Sequence, residues 1–308
     1  MSLRLYSHPT CLLHSNGEGH AESPQRLAVV LEALHQAKLP GVDWQEAPLA
    51  TRAQLRRVHA DALLEQVLDV ATPRHRQLDP DTAMNEHSAR AALHAAGAVC
   101  AAADAVMQAS ATRAFCAVRP PGHHATPTQA MGFCLFNSIA VGAAHALAAH
   151  GLARVAVVDF DVHHGNGTQD IFWNEPRVLF ASSHQRGIYP GTGAADERGR
   201  GNILNAPLPA GSGGILFRRA WGERLLPEID AFKPQLILVS AGFDAHRLDP
   251  LAGLMLEADD YAWITTELVA LAERHCQGRL VSSLEGGYHL DALRESALAH
   301  VRALLGGA

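Results

Sequence analysis

Residues 154–167 read RVAVVDFDVHHGNG and carry the clearest indication of the fold. Its first half is a short apolar run rich in valine, and its second half is crowded with Asp, His and Gly. A short β-branched run bounded by turn residues predicts a strand buried on both faces, as is typical of a parallel sheet covered by helices. The polar half then begins where that strand ends.

Six apolar runs of this kind alternate with longer segments of helical period. The predicted strands are Leu3–Tyr6, Ala114–Val118, Arg154–Phe160, Val178–Ala181, Leu236–Ser240 and Leu280–Ser283. The predicted helices are Pro24–Ala37, Gln54–Val70, Glu86–Ala109, Asn137–Ala149, Ile215–Phe232, Asp259–His275 and Leu290–Leu305. This alternation predicts an α/β fold in which helices flank a mainly parallel β-sheet, in a single domain over residues 1–308.

The composition allows a large core and argues against several classes of partner. The chain has 308 residues, 48% of them hydrophobic, so it can fold without disulfides. Its net charge is −6 and its basic residues form no stripe, which argues against direct nucleic-acid binding. The five cysteines form no C-x-x-C pair, and no membrane span or signal peptide is recognisable. We therefore expect a cytoplasmic protein that does not enter a membrane, of undetermined oligomeric state.

Polar clusters follow five of the predicted strands. They read RPPGHH (119–124), DFDVHHGNG (159–167), SSHQRGIYPGTG (182–193), AGFDAH (241–246) and EGGY (285–288). In an open α/β sheet, ligands bind beyond the carboxyl ends of the strands. The five clusters are therefore predicted to converge on one site.

Three residues in these clusters are candidate metal ligands. Asp161 and His163 alternate, so they share one face if the strand continues, and Asp244 at another strand end is a natural third ligand. Two carboxylates and one imidazole leave coordination positions open, as in catalytic sites, and both Zn²⁺ and Fe²⁺ accept such a set. The competing interpretation is structural, with Asp161 as a helix cap and Asp244 paired to Arg247.

Further residues could carry acid–base chemistry. His123 and His124 lie in a Pro/Gly-constrained turn, where one imidazole could transfer protons while the other gives electrostatic support. Asp159 and Asn166 are available to fix the imidazole tautomers. Tyr288 follows two glycines and could stabilise an oxyanion, although a core tyrosine is an equal alternative.

In combination, the motifs resemble the histone deacetylase family, within a wider group that includes acetylpolyamine amidohydrolases and arginase-like folds. The segments that carry the resemblance are RPPGHHA (119–125), GFCLFN (132–137), DFDVHHGNGTQ (159–169), YPGTG (189–193), SAGFDAH (240–246) and EGGY (285–288). It extends from GHAESPQRL, near residue 19, over most of the chain. The resemblance implies a three-layer sandwich of the arginase/deacetylase type.

Residue by residue, the resemblance implies a division of roles. Zinc is implied on the three candidate ligands Asp161, His163 and Asp244. His124 is implied as general base and acid, His123 as its electrostatic support and Tyr288 as the group that polarises the carbonyl. Asp159 matches the partner of the first histidine, and Asn166 matches that of the second, as in the class II branch.

A potassium site and a substrate tunnel are also implied. The potassium positions are Asp159, Asp161, His163, Ser182 and Ser183. The predicted substrate-binding residues are Gly132, Phe133, Tyr189, Leu251 and Gly286. Leu251 stands where the polyamine-selective branch has an acidic gatekeeper, and it cannot pair with a cationic amine. Acidic residues of the Leu78–Glu86 stretch, or Glu18, could instead lie at the entrance.

The expected function is zinc-dependent hydrolysis of N-acyl-lysine, above all N-acetyl-lysine, in proteins or peptides, by metal-activated water. The alternatives are an amidohydrolase acting on acetylpolyamines or other small acetylated amines, and a non-catalytic acyl-lysine reader. A two-metal ureohydrolase is disfavoured because residues 164–166 supply no Asp for a second metal.

Overall fold

The structure is a computed structural model that describes residues 2–71 and 74–306. Within them the strands are β1 (Leu3–Ser7), β2 (Val42–Glu46), β3 (Arg76–Asp79), β4 (Thr82–Met84), β5 (Arg113–Cys116), β6 (Val155–Asp159), β7 (Val178–Gln185), β8 (Ile203–Leu208), β9 (Leu236–Ala241) and β10 (Leu280–Leu284). The α-helices are α1 (Pro24–Gln36), α2 (Arg52–Leu55), α3 (Asp61–Leu68), α4 (Ser88–Met107), α5 (Ser138–Ala149), α6 (Asn166–Phe172), α7 (Gly214–Ala220), α8 (Leu226–Phe232), α9 (Ala258–Cys276) and α10 (Leu290–Leu304).

Eight strands form one sheet in the order β2-β1-β5-β10-β9-β6-β7-β8. Every pairing in it is parallel. All residues of β6 and β9 are buried, as their apolar sequences predict. The predicted α/β class with a parallel sheet is confirmed. The last strand in sequence, β10, lies between β5 and β9 and joins the two halves of the sheet.

Helices cover both faces of this sheet. Ser282 of β10 contacts His300 of α10 with an Oγ to Nε2 distance of 2.8 Å. On β9, Leu238 lies beside Gly142 of α5. Leu238 is in register with Val281, the neighbour of Ser282 on β10. Since successive side chains of a strand point to opposite faces, α5 and α10 lie on opposite sides of the sheet.

The strands that sequence inspection missed lie mainly at the edges. The two edge strands are β2, which is largely exposed, and β8, which contains Pro207. Edge strands tolerate polar residues and proline because one side of their backbone needs no partner, so their sequences are harder to recognise as strands. The remaining two, β3 and β4, form a separate antiparallel pair.

Two helix predictions were wrong in detail. The predicted helix Gln54–Val70 is divided into α2 and α3, because the intervening residues bond to another loop: Ala60 N donates to Pro127 O (2.8 Å) and His59 Nδ1 lies 2.9 Å from Thr126 O. The predicted helix Ile215–Phe232 contains a π-helical turn, Trp221–Leu225, between α7 and α8. The short helix α6 was not predicted.

Candidate active site

The five polar clusters follow β5, β6, β7, β9 and β10, which are neighbours in the sheet. In a parallel sheet the carboxyl ends of neighbouring strands lie along one edge, so the topology alone brings the clusters together.

The three predicted metal ligands form one buried cluster. Asp161 and His163 follow β6, Asp244 follows the adjacent β9, and one ligand atom from each lies within 4.8 Å of the others. His163 Nδ1 is 3.2 Å from Asp161 Oδ1 and 3.1 Å from Asp244 Oδ2. The structural alternative for Asp244 is not realised, because Arg247 pairs with Glu257 instead.

Backbone amides fix the two carboxylates. Asp161 Oδ2 accepts a hydrogen bond from Gly286 N (2.8 Å), and its Oδ1 accepts one from His163 N (2.9 Å). Asp244 Oδ1 accepts one from Val162 N (2.8 Å). These bonds orient the carboxylates before any ligand arrives.

Two glycines allow this close packing. A Cβ atom at Gly242 would lie 2.0 Å from Asp161 Oδ2, and one at Gly286 would lie 2.1 Å from Asp244 Oδ2. Any larger residue would displace a carboxylate of the cluster. Gly286, predicted to bind substrate, thus lies behind the cluster and supports it.

The electrostatics of the cluster favour a cation. Burial opposes charge on His163, but hydrogen bonds to Asp161 and Asp244 raise its pKa to about 10. Burial and the nearby charge of Asp161 raise the pKa of Asp244. Two buried carboxylates around one imidazole therefore need positive charge between them. This donor set of two oxygens and one nitrogen fits Zn²⁺ or Fe²⁺, whereas Mg²⁺ and Ca²⁺ prefer oxygen alone.

The histidine pair lies beside this cluster, and its two members have different partners. His123 Nδ1 is 2.9 Å from Asp159 Oδ2, whereas His124 Nδ1 is 2.7 Å from Asn166 Oδ1. The two imidazole centroids are 4.0 Å apart. Asp159 and Asn166 are the two partners that the sequence predicted.

The partners give the two imidazoles opposite charge states. Burial opposes charge on His123, but the Asp159 and Asp161 carboxylates raise its pKa well above the usual value. Burial and the positive charges of His123 and His163 lower the pKa of His124 well below the usual value. Near neutral pH, His123 is therefore protonated and His124 is neutral.

Glu285 anchors the turn that carries this pair, a role that sequence inspection missed. Its Oε2 accepts hydrogen bonds from Gly122 N (2.6 Å) and His123 N (3.2 Å), and Ser240 Oγ donates to its Oε1 (3.2 Å). Burial raises the pKa of Glu285 to about 7. An acidic residue directly after a buried strand was the available signal.

Tyr288 is held from both sides by residues that were also missed. Its N–H donates to Asp249 Oδ2 (2.7 Å). The guanidinium of Arg26 lies 4.8 Å from the centroid of the phenol ring and donates to the carbonyls of Gly287 (2.6 Å) and Glu285 (2.5 Å). Burial raises the pKa of the Tyr288 phenol well above its usual value, so it stays protonated.

A narrow cavity of about 220 Å³ leads to the histidines. It is lined by Asp81, His124, Gly132, Phe133, His163, Tyr189, Leu251 and Tyr288. Four of the five predicted substrate-binding residues are among them. Tyr189 (38% exposed) and Leu251 (40% exposed) lie at its mouth. Gly132 has a φ of +56°, and a Cβ there would lie 2.5 Å from His124 Cδ2, so glycine is required.

Asp81 is the acidic residue of the 78–86 stretch that reaches this cavity. It lies in the turn between β3 and β4, and Thr82 Oγ1 donates to its carboxylate (2.9 Å). Burial and a hydrogen bond with Asp79 raise the pKa of Asp81.

A wider cavity, of about 1010 Å³, is bordered by Leu39, Trp263 and Leu305 but has no imidazole or thiol among its lining residues.

The predicted potassium positions lie at the ends of β6 and β7. Asp159 is in register with Ser182 on the neighbouring strand. Ser182 Oγ is 2.9 Å from His184 Nδ1, and Ser183 Oγ accepts a hydrogen bond from Trp221 Nε1 (2.9 Å). Both hydroxyls thus already have protein partners.

The fold and this arrangement define a buried site in which candidate metal ligands lie beside acid–base residues, and comparison with known proteins identifies the family. Residues 20–304 match the histone deacetylase domain, and the chain belongs to the histone deacetylase family. The crystal structure of the HDA15 HD domain superimposes with a TM-score of 0.94 and 38% identity, covering 100% of this chain and 89% of that one.

Relatives come from bacteria, plants and a slime mould. The histone deacetylase-like amidohydrolase of Pseudomonas aeruginosa is 42% identical over 94% of this chain and 77% of its own length. Histone deacetylase 14, chloroplastic, of Arabidopsis thaliana is 40% identical over 98% and 76%. The Type-2 histone deacetylase 2 of Dictyostelium discoideum is 37% identical over 97% of this chain, which spans only 20% of that protein.

These relatives identify a hydrolase of the deacetylase and amidohydrolase type. Among the residues that the structure describes, we find no helix with the length and apolar character needed to cross a membrane.

Proposed function

We propose that this protein removes acyl groups, above all acetyl, from the side-chain amine of lysine in proteins or peptides. One observation supports this best: the buried three-ligand cluster, a neutral histidine and a protonated tyrosine lie together beside one narrow cavity.

In this proposal Asp161, His163 and Asp244 hold one zinc ion, with Fe²⁺ as the alternative. When bound, the metal would act as a Lewis acid that polarises the acyl carbonyl and lowers the pKa of a bound water molecule. These three side chains would hold the metal without taking part in proton transfer, and backbone hydrogen bonds already orient the two carboxylates.

His124 is the general base in this proposal. Its Nδ1–H donates to Asn166 Oδ1, so the lone pair is on Nε2, which takes a proton from the attacking water. The same imidazole then gives the proton to the leaving amine. His123 stays charged through Asp159 and stabilises the negative charge that develops nearby.

Tyr288 donates its hydroxyl proton as a hydrogen bond to the carbonyl oxygen while negative charge builds there. A raised pKa suits this role, because the phenol must remain a donor. Arg26 and Asp249 hold its backbone and ring in place.

The cavity supports a lysine side chain as substrate. A narrow passage with Phe133 and Tyr189 among its lining residues suits an extended aliphatic chain, and Leu251 at the mouth presents no charge to a second amine. Asp81 supports the second candidate, a small acetylated polyamine, because its carboxylate could pair with a free ammonium.

Two further elements belong to the proposal. Potassium would bind near Asp159, Asp161, His163, Ser182 and Ser183 and modulate the site without entering the reaction. A cytoplasmic location is supported by five free, buried cysteines, which suit a reducing compartment.

The test uses metal-stripped protein, reloaded with zinc, and two substrates side by side: a fluorogenic acetyl-lysine peptide and N-acetylputrescine. Zinc-dependent acetate release that is lost in His124→Ala would support the deacetylase. Preference for the peptide is expected, and preference for the polyamine would overturn the substrate assignment. In the latter case, Asp81→Asn should reduce turnover of the polyamine more than that of the peptide. Release of acetate from neither substrate, with zinc bound, would overturn the proposed reaction.

A further inference from the structure

A second group of metal-ligand side chains lies outside the active site. It consists of Asp104 on α4, His145 on α5 and His150 just after α5. Both imidazoles approach the same carboxylate oxygen, since Asp104 Oδ1 is 2.8 Å from His145 Nε2 and 2.7 Å from His150 Nε2. Among the described residues, this group and the catalytic cluster are the two in which three ligand atoms lie within 4.8 Å of one another.

This group is remote from the catalytic cluster. At the start of α5, Asn137 donates hydrogen bonds to the carbonyls of His123 (3.3 Å) and Ala125 (3.2 Å), so that end borders the histidine pair. The helix has 12 residues. It is therefore about 18 Å long, with His145 about 10 Å from its start and His150 directly after its end. A metal bound there would not touch the reacting atoms.

The donors suit a first-row transition metal. Two imidazole nitrogens and one carboxylate oxygen form a set that binds Zn²⁺, Fe²⁺, Ni²⁺ or Cu²⁺. The side chain of Asp104 is 39% exposed, so ions and water can reach the group. Metal–ligand bonds of about 2.0–2.2 Å would replace the present hydrogen bonds after small side-chain rotations, which partial exposure permits.

Arg57 opposes a metal at this position. Its Nη1 lies 3.0 Å from His145 Nδ1, and because a guanidinium can only donate, Nδ1 carries the lone pair and the proton is on Nε2. A metal on Nε2 would place the proton on Nδ1, where it faces Arg57. The exposed Arg57 side chain must therefore swing away when a metal binds.

We propose that Asp104, His145 and His150 form a second site for a divalent transition metal, and that this metal is zinc. The site fastens the end of α5 to α4 and is independent of the catalytic cluster. Arg57 occupies its outer side when the site is empty and weakens metal binding.

The experiment is equilibrium dialysis against a zinc series, with metal per chain counted by mass spectrometry. His150→Gln is expected to bind one zinc fewer per chain than the unmodified protein. The matched control is His275→Gln, which changes a partly buried histidine that contacts Asp230 (2.8 Å) without a second imidazole partner. It is expected to bind as much zinc as the unmodified protein.

Equal zinc in His150→Gln and the unmodified protein would overturn the site, and so would an equal loss in His275→Gln. This difference does not depend on what the catalytic cluster holds. Equal melting temperatures of the zinc-free proteins verify that the variants fold.

A second variant should increase the zinc affinity of this site. Arg57→Gln should bind the additional zinc roughly fivefold more tightly, because a nearby positive charge is removed. Weaker binding in Arg57→Gln would contradict the proposed role of Arg57.

Discussion

His123 and His124 are consecutive, both are buried, and their rings nearly touch, yet their pKa values shift in opposite directions. The two imidazoles face different charges: the carboxylates of Asp159 and Asp161 act on His123, whereas the positive charges of His123 and His163 act on His124. Their hydrogen-bond partners differ in the same sense, because the oxygen of Asp159 is charged and the amide oxygen of Asn166 is neutral. Burial alone would make both neutral. In two buried neighbouring histidines, the surrounding charges, including the one at the Nδ1 partner, therefore decide which imidazole can accept a proton.

The largest expected effect separates the two histidines directly. His124→Gln should lower kcat/KM by about 10²–10⁴-fold, because the proposed general base is lost. His123→Gln is the matched control and should lose less, since it removes a supporting charge only. Steady-state kinetics with an acetyl-lysine peptide would check this order, and a reversed order would contradict the assignment.

A smaller effect is expected when the charged partner is neutralised. Asp159→Asn leaves a hydrogen-bond acceptor for His123 but removes the charge that keeps this imidazole protonated. We expect a loss of about 10–100-fold in kcat, as for other groups that orient active-site histidines. NMR titration of the His123 ring should show a lowered pKa. An unchanged pKa would mean that Asp161 alone sustains the charge.

The converse exchange, Asn166→Asp, acts mainly on the pH dependence of kcat/KM. Asn166→Asp places a carboxylate beside His124 and raises its pKa, so a higher pH is needed to obtain the neutral base. The acidic limb of kcat/KM should therefore move to higher pH by roughly one unit, with little loss on the alkaline side. Asn166→Gln keeps the partner neutral and serves as the control. A shift to lower pH would refute the proposed partner effect.

The smallest effect concerns Glu285, which anchors the turn that carries both histidines. In Glu285→Gln, the amide oxygen can still accept from Gly122 and His123 while its NH₂ group faces Ser240, so we expect less than about a tenfold loss of activity. Glu285→Ala leaves these backbone donors unpaired and should lower both activity and melting temperature. Equal behaviour of the two variants would show that the anchor does not position the pair.

The sequence predicted what depends on short stretches of chain. The valine run before Asp159 identified a central strand, and the clusters after the strands contain the candidate metal ligands, the two histidines and their partners, which the structure brings together. Residues that act over long separations were missed: Arg26 reaches the carbonyls of Glu285 and Gly287, more than 250 positions away. Asp249 acts through the backbone N–H of Tyr288, which no motif spacing indicates. The edge strands were missed because β2 is largely polar and exposed, and β8 contains Asn205 and Pro207, which interrupt its apolar run.

The position of β10 has a consequence for synthesis of the chain. The strands β2, β1 and β5 lie on one side of it and β9, β6, β7 and β8 on the other, and β10 is the last strand of this sheet to leave the ribosome. Until residues 280–284 emerge, the sheet consists of two unconnected halves. Glu285 and Tyr288 follow that strand, so the site is assembled last. A nascent chain would therefore hold its metal ligands before it could turn over substrate, and activity would appear only with completion of the sheet.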